Sequence, residues 1–199
     1  MFSRSTTFRY TFVEGEDTVR KAFAVLVAFI AFSLLAAAQD YNKAEAFSGF
    51  QYTSFDTFNI QRSNMMGWDA QVTDYLKKPF GLTADVSGSY GSPNVGGFST
   101  TLRDYSFLFG PTFRAPLQKA TPFVHALFGF GHINHSGGSY SSSGFAYELG
   151  GGFDIAVAKS FSYRVVQADY YVTKFDDPTN SGNGTQNHFR IATGIVFKF

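Results

Sequence analysis

The last segment of the chain, residues 187–199, alternates between two kinds of side chain. One face is mainly apolar and comprises Phe189, Ile191, Thr193, Ile195, Phe197 and Phe199. The other face is small and partly charged and comprises Arg190, Ala192, Gly194, Val196 and Lys198. Successive side chains of a β-strand point to opposite faces, so this pattern predicts an amphipathic strand. A membrane barrel could close with such a strand, but a soluble sheet could end in the same way.

The same alternation recurs along most of the chain and predicts eight strands. They span residues 44–54, 68–76, 82–90, 102–114, 121–132, 145–157, 161–175 and 187–199. The alternation is less regular in 161–175, which we attribute to a β-bulge that shifts the phase of the strand. The connections are alternately long and short, and the long ones are residues 55–67, 91–101, 133–144 and 176–187.

This alternation of connection lengths indicates a membrane barrel. Outer-membrane barrels have an even number of strands, short periplasmic turns and long extracellular loops. A tilted strand needs about 9–11 residues to cross the hydrocarbon layer, and most of the predicted strands are that long. The predicted fold is therefore all-β: an eight-stranded, antiparallel, up-and-down transmembrane β-barrel.

Charged residues occur in the middle of several predicted strands, where a lipid-facing charge would cost up to about 4 kcal/mol. We therefore expect them inside the barrel, as a network of opposite charges: Asp85, Glu148, Asp154, Arg164, Asp169 and Arg190. A barrel of eight strands is just wide enough for side chains to fill its interior. The sequence thus predicts a plugged, hydrated polar core rather than an open pore.

Composition limits the class of protein further. The chain has 199 residues, no cysteine, a net charge of +1, 19% aromatic residues and 16% charged residues. This length suggests one domain, and the charged fraction is low for a soluble surface. No basic patch suggests nucleic acid, and disulfides and thiolate metal sites are excluded. A cysteine-free chain is compatible with the bacterial envelope.

The amino-terminal part of the chain is predicted to be a targeting segment. An apolar run at 22–38 follows Arg20 and Lys21 and ends in small residues, which is typical of a secretory signal peptide. We expect a helical signal peptide at 19–38, cleaved after Ala38, and a barrel at 39–199. The alternative is a transmembrane helix, for which the run is short. Acidic residues in 1–18 do not suit a signal peptide, so this stretch is expected to be an over-called start, with translation from Val19, or disordered.

Several short motifs occur in an order that resembles a known family. They are Gly67-Trp68, GLTADVSGSYG at 81–91, TPFVHALFGFG at 121–131, GGGFD at 150–154, VVQADYYVTKF at 165–175 and FRIATGIVFKF at 189–199. Together they resemble the eight-stranded outer-membrane β-barrel family, the class of the OmpA transmembrane domain and OmpX. The likeness extends to the short stand-alone barrels of Gram-negative envelopes, including acidobacterial members.

The resemblance implies a location and partners. It implies the bacterial outer membrane, contact with outer-membrane lipid and lipopolysaccharide, and insertion by the barrel assembly machinery. In the family, that machinery recognises a terminal Phe preceded by alternating apolar residues. Ile191, Ile195, Phe197 and Phe199 match this assembly signal, whereas Thr193 departs from it.

We therefore expect a monomeric barrel that is not an enzyme and has a structural or surface-binding role, carried by its four long extracellular loops. The sequence does not identify a loop ligand. The alternatives are a narrow porin-like channel for ions or small solutes, a lipid-modifying outer-membrane enzyme and a soluble lipocalin-like carrier. The first long connection contains four apolar residues that are expected to contact a partner or anchor the barrel rim: Phe55, Phe58, Met65 and Met66.

Candidate chemistry in the sequence is sparse. A metal site needs three or four converging ligands, and His132 and His135 lie at a polar loop without a matching acid. His125 and Glu148 could belong to a His/Ser/acid set, but no motif places them beside a serine. We therefore expect no catalytic residues, no metal site and no cofactor.

Overall fold

The computed structural model describes residues 43–57, 61–77, 79–92, 94–95, 98–99, 101–136, 140–176 and 183–199. The strands are β1 (Ala44–Thr57), β2 (Gln61–Lys77), β3 (Phe80–Gly91), β4 (Asn94–Val95), β5 (Phe98–Ser99), β6 (Thr101–Arg114), β7 (Ala120–Ser136), β8 (Tyr140–Ala156), β9 (Phe161–Asp176) and β10 (Asn183–Lys198). The predicted signal peptide and start site lie outside the described residues. Among those residues, no helix has the length and apolarity needed to cross a membrane.

Eight strands form a closed barrel in the order β1-β10-β9-β8-β7-β6-β3-β2, and every neighbouring pair is antiparallel. The short strands β4 and β5 make a separate hairpin between β3 and β6. The last strand pairs with the first, from Glu45 opposite Lys198 to Ser54 opposite Phe189. The predicted fold class is confirmed. Residues 187–198 of the amphipathic segment lie in β10, which pairs with β1 and closes the barrel.

Burial follows the predicted alternation. Along β6, inward and outward residues alternate at nearly every position, with Leu108 fully buried and its neighbours Phe107 and Phe109 exposed on the outer wall. The large exposed apolar side chains lie on this outer wall, while the inward face is mostly polar. Because this distribution is the reverse of that in a soluble lipid carrier, the lipocalin-like alternative does not fit.

A bulge in β9 shifts the phase of its alternation, as predicted. Asp154 of β8 lies opposite Arg164, but the preceding Phe153 lies opposite Val166. The pairing with β10 skips a residue at the same place. Consequently Arg164 and Gln167, three positions apart, both point inward.

The predicted boundaries of the long connections are wrong. The strands continue through most of these segments and leave only 58–60, 137–139 and 177–182 between β1 and β2, β7 and β8, and β9 and β10. In these extensions the inward side chains include apolar ones such as Phe55 and Met65, whereas most outward ones are polar, so the apolar-out pattern of the membrane strands stops while backbone pairing continues. Only 92–100, which carries the β4–β5 hairpin, remains long. These four connections define the loop end of the barrel.

The opposite, turn end has short connections, as predicted, at 78–79, 115–119 and 157–160. Outward-facing tyrosine and tryptophan side chains lie toward the loop end. The Trp68 ring N–H donates to the Tyr90 hydroxyl at 3.3 Å, and Tyr90 meets Tyr105 edge to face at 5.9 Å. Tyr170 donates to the Asn187 side chain at 2.7 Å. Such amphipathic rings mark a membrane–water boundary.

Candidate functional site: the polar interior of the barrel

The structure places all six predicted interior residues on the inward face, with exposed fractions of 6% or less. It divides them into two groups along the barrel axis. Asp154 and Arg164 belong to a turn-end group, whereas the other four belong to a central group. Further buried polar residues join these groups: Glu45 and Arg114 near the turn end, and Asp69, Gln71, Asp104, His125 and Gln167 in the centre.

The turn-end group is balanced in charge. Asp154 accepts hydrogen bonds from Arg164 Nε at 2.9 Å and from Arg114 Nη2 at 3.0 Å. Arg114 also forms an ion pair with Glu45. Two carboxylates therefore face two guanidinium groups, and each charge has a partner.

Aromatic rings hold one of these guanidinium groups. The Arg164 guanidinium carbon lies 4.2 Å from the ring centroids of both Phe47 and Phe123. Planar stacking of this kind suits arginine and favours a desolvated cation. Arg164 Nη1 also donates to Gln71 Oε1 at 2.7 Å and Gln167 Oε1 at 2.6 Å, which links the turn-end group to the central group.

Arg190 is the main cation of the central group. Its Nη2 donates to Asp104 at 3.1 Å, and its Nη1 donates to Glu148 Oε2 at 3.1 Å. Nη1 also contacts the Ser106 hydroxyl at 3.1 Å. The Arg190 guanidinium carbon lies 3.4 Å from the centroid of the buried Tyr171 ring. One side chain thus joins strands that lie on opposite walls of the barrel.

A second centre forms around His125. His125 Nε2 lies 2.9 Å from Asp169 Oδ1 and 3.6 Å from Glu148 Oε1. Gly150 lies opposite both His125 and Asp169 in the strand register, so it separates them. A Cβ atom at Gly150 would collide with Asp169 Oδ1. The missing side chain therefore permits the contact between histidine and carboxylate across the intervening strand.

Gln71 forms hydrogen bonds with two further acids of the central group, Asp69 and Asp85. Its Nε2 donates to Asp85 Oδ2 at 2.9 Å and lies 3.1 Å from Asp69 Oδ2. The central group thus contains five carboxyl groups, of which only two, those of Asp104 and Glu148, pair with Arg190; the five are Asp69, Asp85, Asp104, Glu148 and Asp169. One oxygen of each of the first three has no hydrogen-bond partner among the described residues. The centre of the barrel therefore carries an excess of acidic groups.

Apolar side chains cover the interior toward the loop end. This loop-end cluster consists of Phe55, Met65, Leu102, Ile133 and Phe175, all at most 1% exposed. Neither Phe55 nor Met65 lies on the rim or points to a partner, because β1 and β2 continue past the predicted strand ends and turn both side chains inward. The expected role of these two residues is therefore wrong. Met66 is exposed, so its role stays a prediction, and Phe58 lies outside the described residues.

The predicted interior network left out several polar residues that belong to it. The same two-residue period that identifies Asp85 also places Asp69, Asp104 and His125 inward, so the signal was present. Gln167 could not be placed without knowing the position of the β9 bulge. The interior grouping of His125 with acids from β8 and β9 depends on strand register, which the sequence pattern does not give.

One polar pair lies outside the barrel wall. His132 Nδ1 and the Ser143 hydroxyl are 2.7 Å apart on exposed faces of β7 and β8, toward the loop end. In the described part of the chain, no carboxylate oxygen forms an ion pair with a His132 ring nitrogen within 4.0 Å. The pair is a possible nucleophile and base without the acid that usually orients such a base.

The predicted assembly-signal residues lie on the outer wall beside the barrel seam. Ile191, Ile195 and Phe197 are exposed on the lipid-facing side of β10, and Phe199 is 72% exposed at its end. Their recognition by the assembly machinery stays a prediction.

Solved structures share this fold. Neisserial surface protein A (NspA) aligns over 81% of this chain and 100% of its own, with a TM-score of 0.63 and 12% identity. Ail, the attachment invasion locus protein of Yersinia pestis, aligns over 80% and 100%, with a TM-score of 0.55 and 16% identity. The outer membrane protein OprG of Pseudomonas aeruginosa aligns over 81% and 97%, with a TM-score of 0.51 and 10% identity. No protein-family model and no curated protein matches the sequence.

The fold and the distribution of side chains lead to one location. An apolar outer wall around a hydrogen-bonded polar interior is suited to a barrel surrounded by lipid. Closed antiparallel barrels of this kind are the transmembrane form of outer-membrane proteins. The chain therefore has the eight-stranded outer-membrane β-barrel fold and is located in the bacterial outer membrane.

Proposed function

We propose that this protein is a non-enzymatic, monomeric outer-membrane barrel with a plugged interior and a structural or surface-binding role. The burial of its inward side chains is the observation that carries the proposal. In a water-filled pore these side chains would be solvated, yet Arg190, Gln167 and Tyr171 are at most 1% exposed. The loop-end cluster adds an apolar barrier toward the outside. Both features oppose the passage of hydrated solutes.

The strands themselves supply a surface for binding. β7 and β8 have 17 residues each. At about 3.3 Å per residue and a tilt of about 40°, such a strand rises about 43 Å, whereas the apolar band is about 25 Å tall. Paired strands therefore project from the bilayer as hairpins, and we assign the role predicted for the loops to these projections. The β7–β8 projection is rich in Ser, Asn and His.

We further propose that the outer wall contacts outer-membrane lipid and lipopolysaccharide, and that the barrel assembly machinery inserts the chain. The exposed apolar wall and the aromatic set near the loop end support the lipid contact. The name of Ail describes a protein of attachment and invasion, so a barrel of this fold can serve at a cell surface.

Planar-bilayer recording tests the plugged interior against the channel alternative. The refolded protein should give no steady single-channel currents, while a porin inserted under the same conditions gives them. Steady currents of uniform size from the wild-type protein would instead establish the channel function.

Cell assays separate the structural role from the binding role. A strain lacking the gene is complemented with the wild type or with a variant shortened by residues 135–142, which leaves Arg190 and its partners in place. If the role is structural, both versions restore resistance to detergents. If the projection binds a surface, only the wild type restores adhesion. Failure of both versions on both readouts would contradict the proposal.

A lipid-modifying enzyme is the second candidate, and the contact between Ser143 and His132 favours it. Mass spectrometry of membrane lipids tests it, with cells that express the wild type, the Ser143→Ala variant or the Ser141→Ala control. The non-enzymatic proposal expects identical lipids in all three strains. A lipid product that disappears only with Ser143→Ala would establish the enzyme instead.

A further inference from the structure

The strongest unassigned feature of the interior is the group formed by His125, Glu148 and Asp169. These residues come from the three consecutive strands β7, β8 and β9, and all three are buried. One potential ligand atom of each, an imidazole nitrogen or a carboxylate oxygen, lies within 4.8 Å of the other two. We propose that this group binds one divalent transition-metal ion, such as Zn²⁺, inside the barrel.

The distances in this group suit a metal ion. In a tetrahedral site with Zn–N and Zn–O bonds of about 2.0–2.1 Å, neighbouring ligand atoms are about 3.3 Å apart. The distances from His125 Nε2 to Asp169 Oδ1 and Glu148 Oε1, 2.9 and 3.6 Å, fall on either side of this value. One imidazole with two carboxylates is a donor set for zinc and similar ions rather than for calcium, which takes only oxygen.

The Asp169 and Glu148 carboxylates are each fixed by a hydrogen bond to one oxygen, as metal-ligating carboxylates usually are. Asp169 uses Oδ2 to accept a hydrogen bond from Gln167 at 2.8 Å, which leaves Oδ1 toward His125. Glu148 uses Oε2 to accept from Arg190 at 3.1 Å, which leaves Oε1 toward the same nitrogen. Outer partners that orient one oxygen of a ligand and leave the other free are typical of metal centres.

Two independent observations favour a cation at this place. The central group has five buried carboxyl groups, of which only Asp104 and Glu148 pair with Arg190 in the described part of the chain, so a divalent ion would meet an excess of acidic groups there. In addition, Asp69 Oδ1 and Asp85 Oδ1 are buried without a hydrogen-bond partner in the described part of the chain. Gln71 joins these two carboxylates to Gln167, which in turn donates to Asp169, so both acids belong to the same hydrogen-bonded network as the proposed site.

Gly150 supplies the space for the site. The collision that a Cβ atom there would make with Asp169 Oδ1 shows that the carboxylate leans over the glycine toward His125. The ion would link β7, β8 and β9 inside the wall. Because the loop-end cluster closes the interior from outside, the ion would enter while the barrel assembles.

Metal analysis of the refolded protein tests the proposal. The denatured chain is freed of metal with a chelator, refolded in detergent with Zn²⁺, and desalted before the metal content is measured. We expect one tightly held zinc ion per folded chain. His125→Gln and Asp169→Asn should each weaken retention at least about tenfold. The matched control is His188→Gln, because His188 is also buried but contacts Thr173 and lies beside Phe55.

A spectroscopic measurement keeps the proposal testable if the ligand variants do not fold. A variant in which Gln replaces His132, His135 and His188 keeps His125 as its only histidine. X-ray absorption of its zinc-loaded form should show one imidazole ligand among oxygen ligands. The proposal is overturned if the wild type retains no stoichiometric metal, if His125→Gln retains as much as His188→Gln, or if the absorption spectrum shows no imidazole.

Discussion

Phe55 stacks on His188 inside the loop end of the barrel, with ring centroids 3.9 Å apart and ring planes inclined by 17°. His188 Nδ1 accepts a hydrogen bond from the backbone N–H of Asp56 at 3.0 Å, and its Nε2 lies 2.9 Å from the Thr173 hydroxyl. The stacked pair therefore joins the apolar loop-end cluster to the hydrogen-bonded interior. This aromatic contact lies at the boundary between the two parts of the plug, where His188 also meets the Tyr171 ring at 5.4 Å.

Replacing Phe55 with Ala should lower the free energy of unfolding by about 3–5 kcal/mol, because the deletion leaves a cavity that closely packed neighbours cannot fill. The control is Phe130→Ala on the outer wall, where Phe130 is 68% exposed and lipid can replace the lost ring. Urea titration in lipid vesicles, read by heat-modifiable gel migration, measures both. Equal losses for the two variants would show that the loop-end cluster is not a packed plug.

Arg190→Met should destabilise the barrel by about 3–5 kcal/mol, because it leaves Asp104 and Glu148 buried without their shared cation. Neutralising both acids in the same chain, with Asp104→Asn and Glu148→Gln, should recover most of this loss. The same urea titration compares the single and triple variants. A triple variant less stable than Arg190→Met would mean that the acids are not held by Arg190.

The sequence predicts the wall of the barrel well because the wall repeats a local rule. Each side of a strand meets either lipid or the interior, so a period of two residues identifies both faces of β10 and the inward position of Glu148. The same rule fails in the loop-end extensions, where apolar side chains such as Ile133 face inward and most outward side chains are polar. Strand ends such as Thr57 and Ser136 therefore could not be located from the pattern.

The grouping of interior residues depends on information that is not local. Alternation places His125 and Asp169 inside, but their meeting depends on the register of three strands and on Gly150 between them. The partners of Arg164 likewise depend on the β9 bulge, which sets its position relative to Gln167. The sequence therefore predicts which residues point into the barrel, but it does not predict which of them contact one another.

The free-energy cost of a charge on the outer wall should depend on its depth in the bilayer. Leu149 is exposed at the middle of β8, so Leu149→Lys should cost about 2–4 kcal/mol of folding free energy in vesicles. Val157 is exposed at the turn end, where Val157→Lys should cost only about 0–1 kcal/mol. Denaturant titration of both variants measures the difference. Equal costs would contradict the placement of the bilayer around the middle of β8.

Phe199 could assist assembly in two ways, through its backbone hydrogen bonds and through its ring, and mutagenesis can separate the two. Its backbone N–H donates to the Ala44 carbonyl at 2.9 Å, and its carbonyl accepts from the Lys43 N–H at 3.0 Å, so the last residue extends the seam between β10 and β1. The ring itself is exposed and adds little internal packing. Deleting Phe199 removes both contributions, whereas Phe199→Ala removes only the ring.

If the ring is the assembly signal, both variants should insert poorly in cells while Phe199→Ala still folds normally into vesicles without the assembly machinery. The folded fraction in isolated outer membranes, compared with refolding in vesicles, measures this. Leu117→Ala, which removes an exposed apolar side chain from a turn, serves as the control and should insert normally. Normal insertion of Phe199→Ala together with failure of the deletion would assign the effect to the seam hydrogen bonds. Normal insertion of both would show that the terminal residue is only an anchor at the membrane surface, because neither its ring nor its backbone would then be needed for assembly.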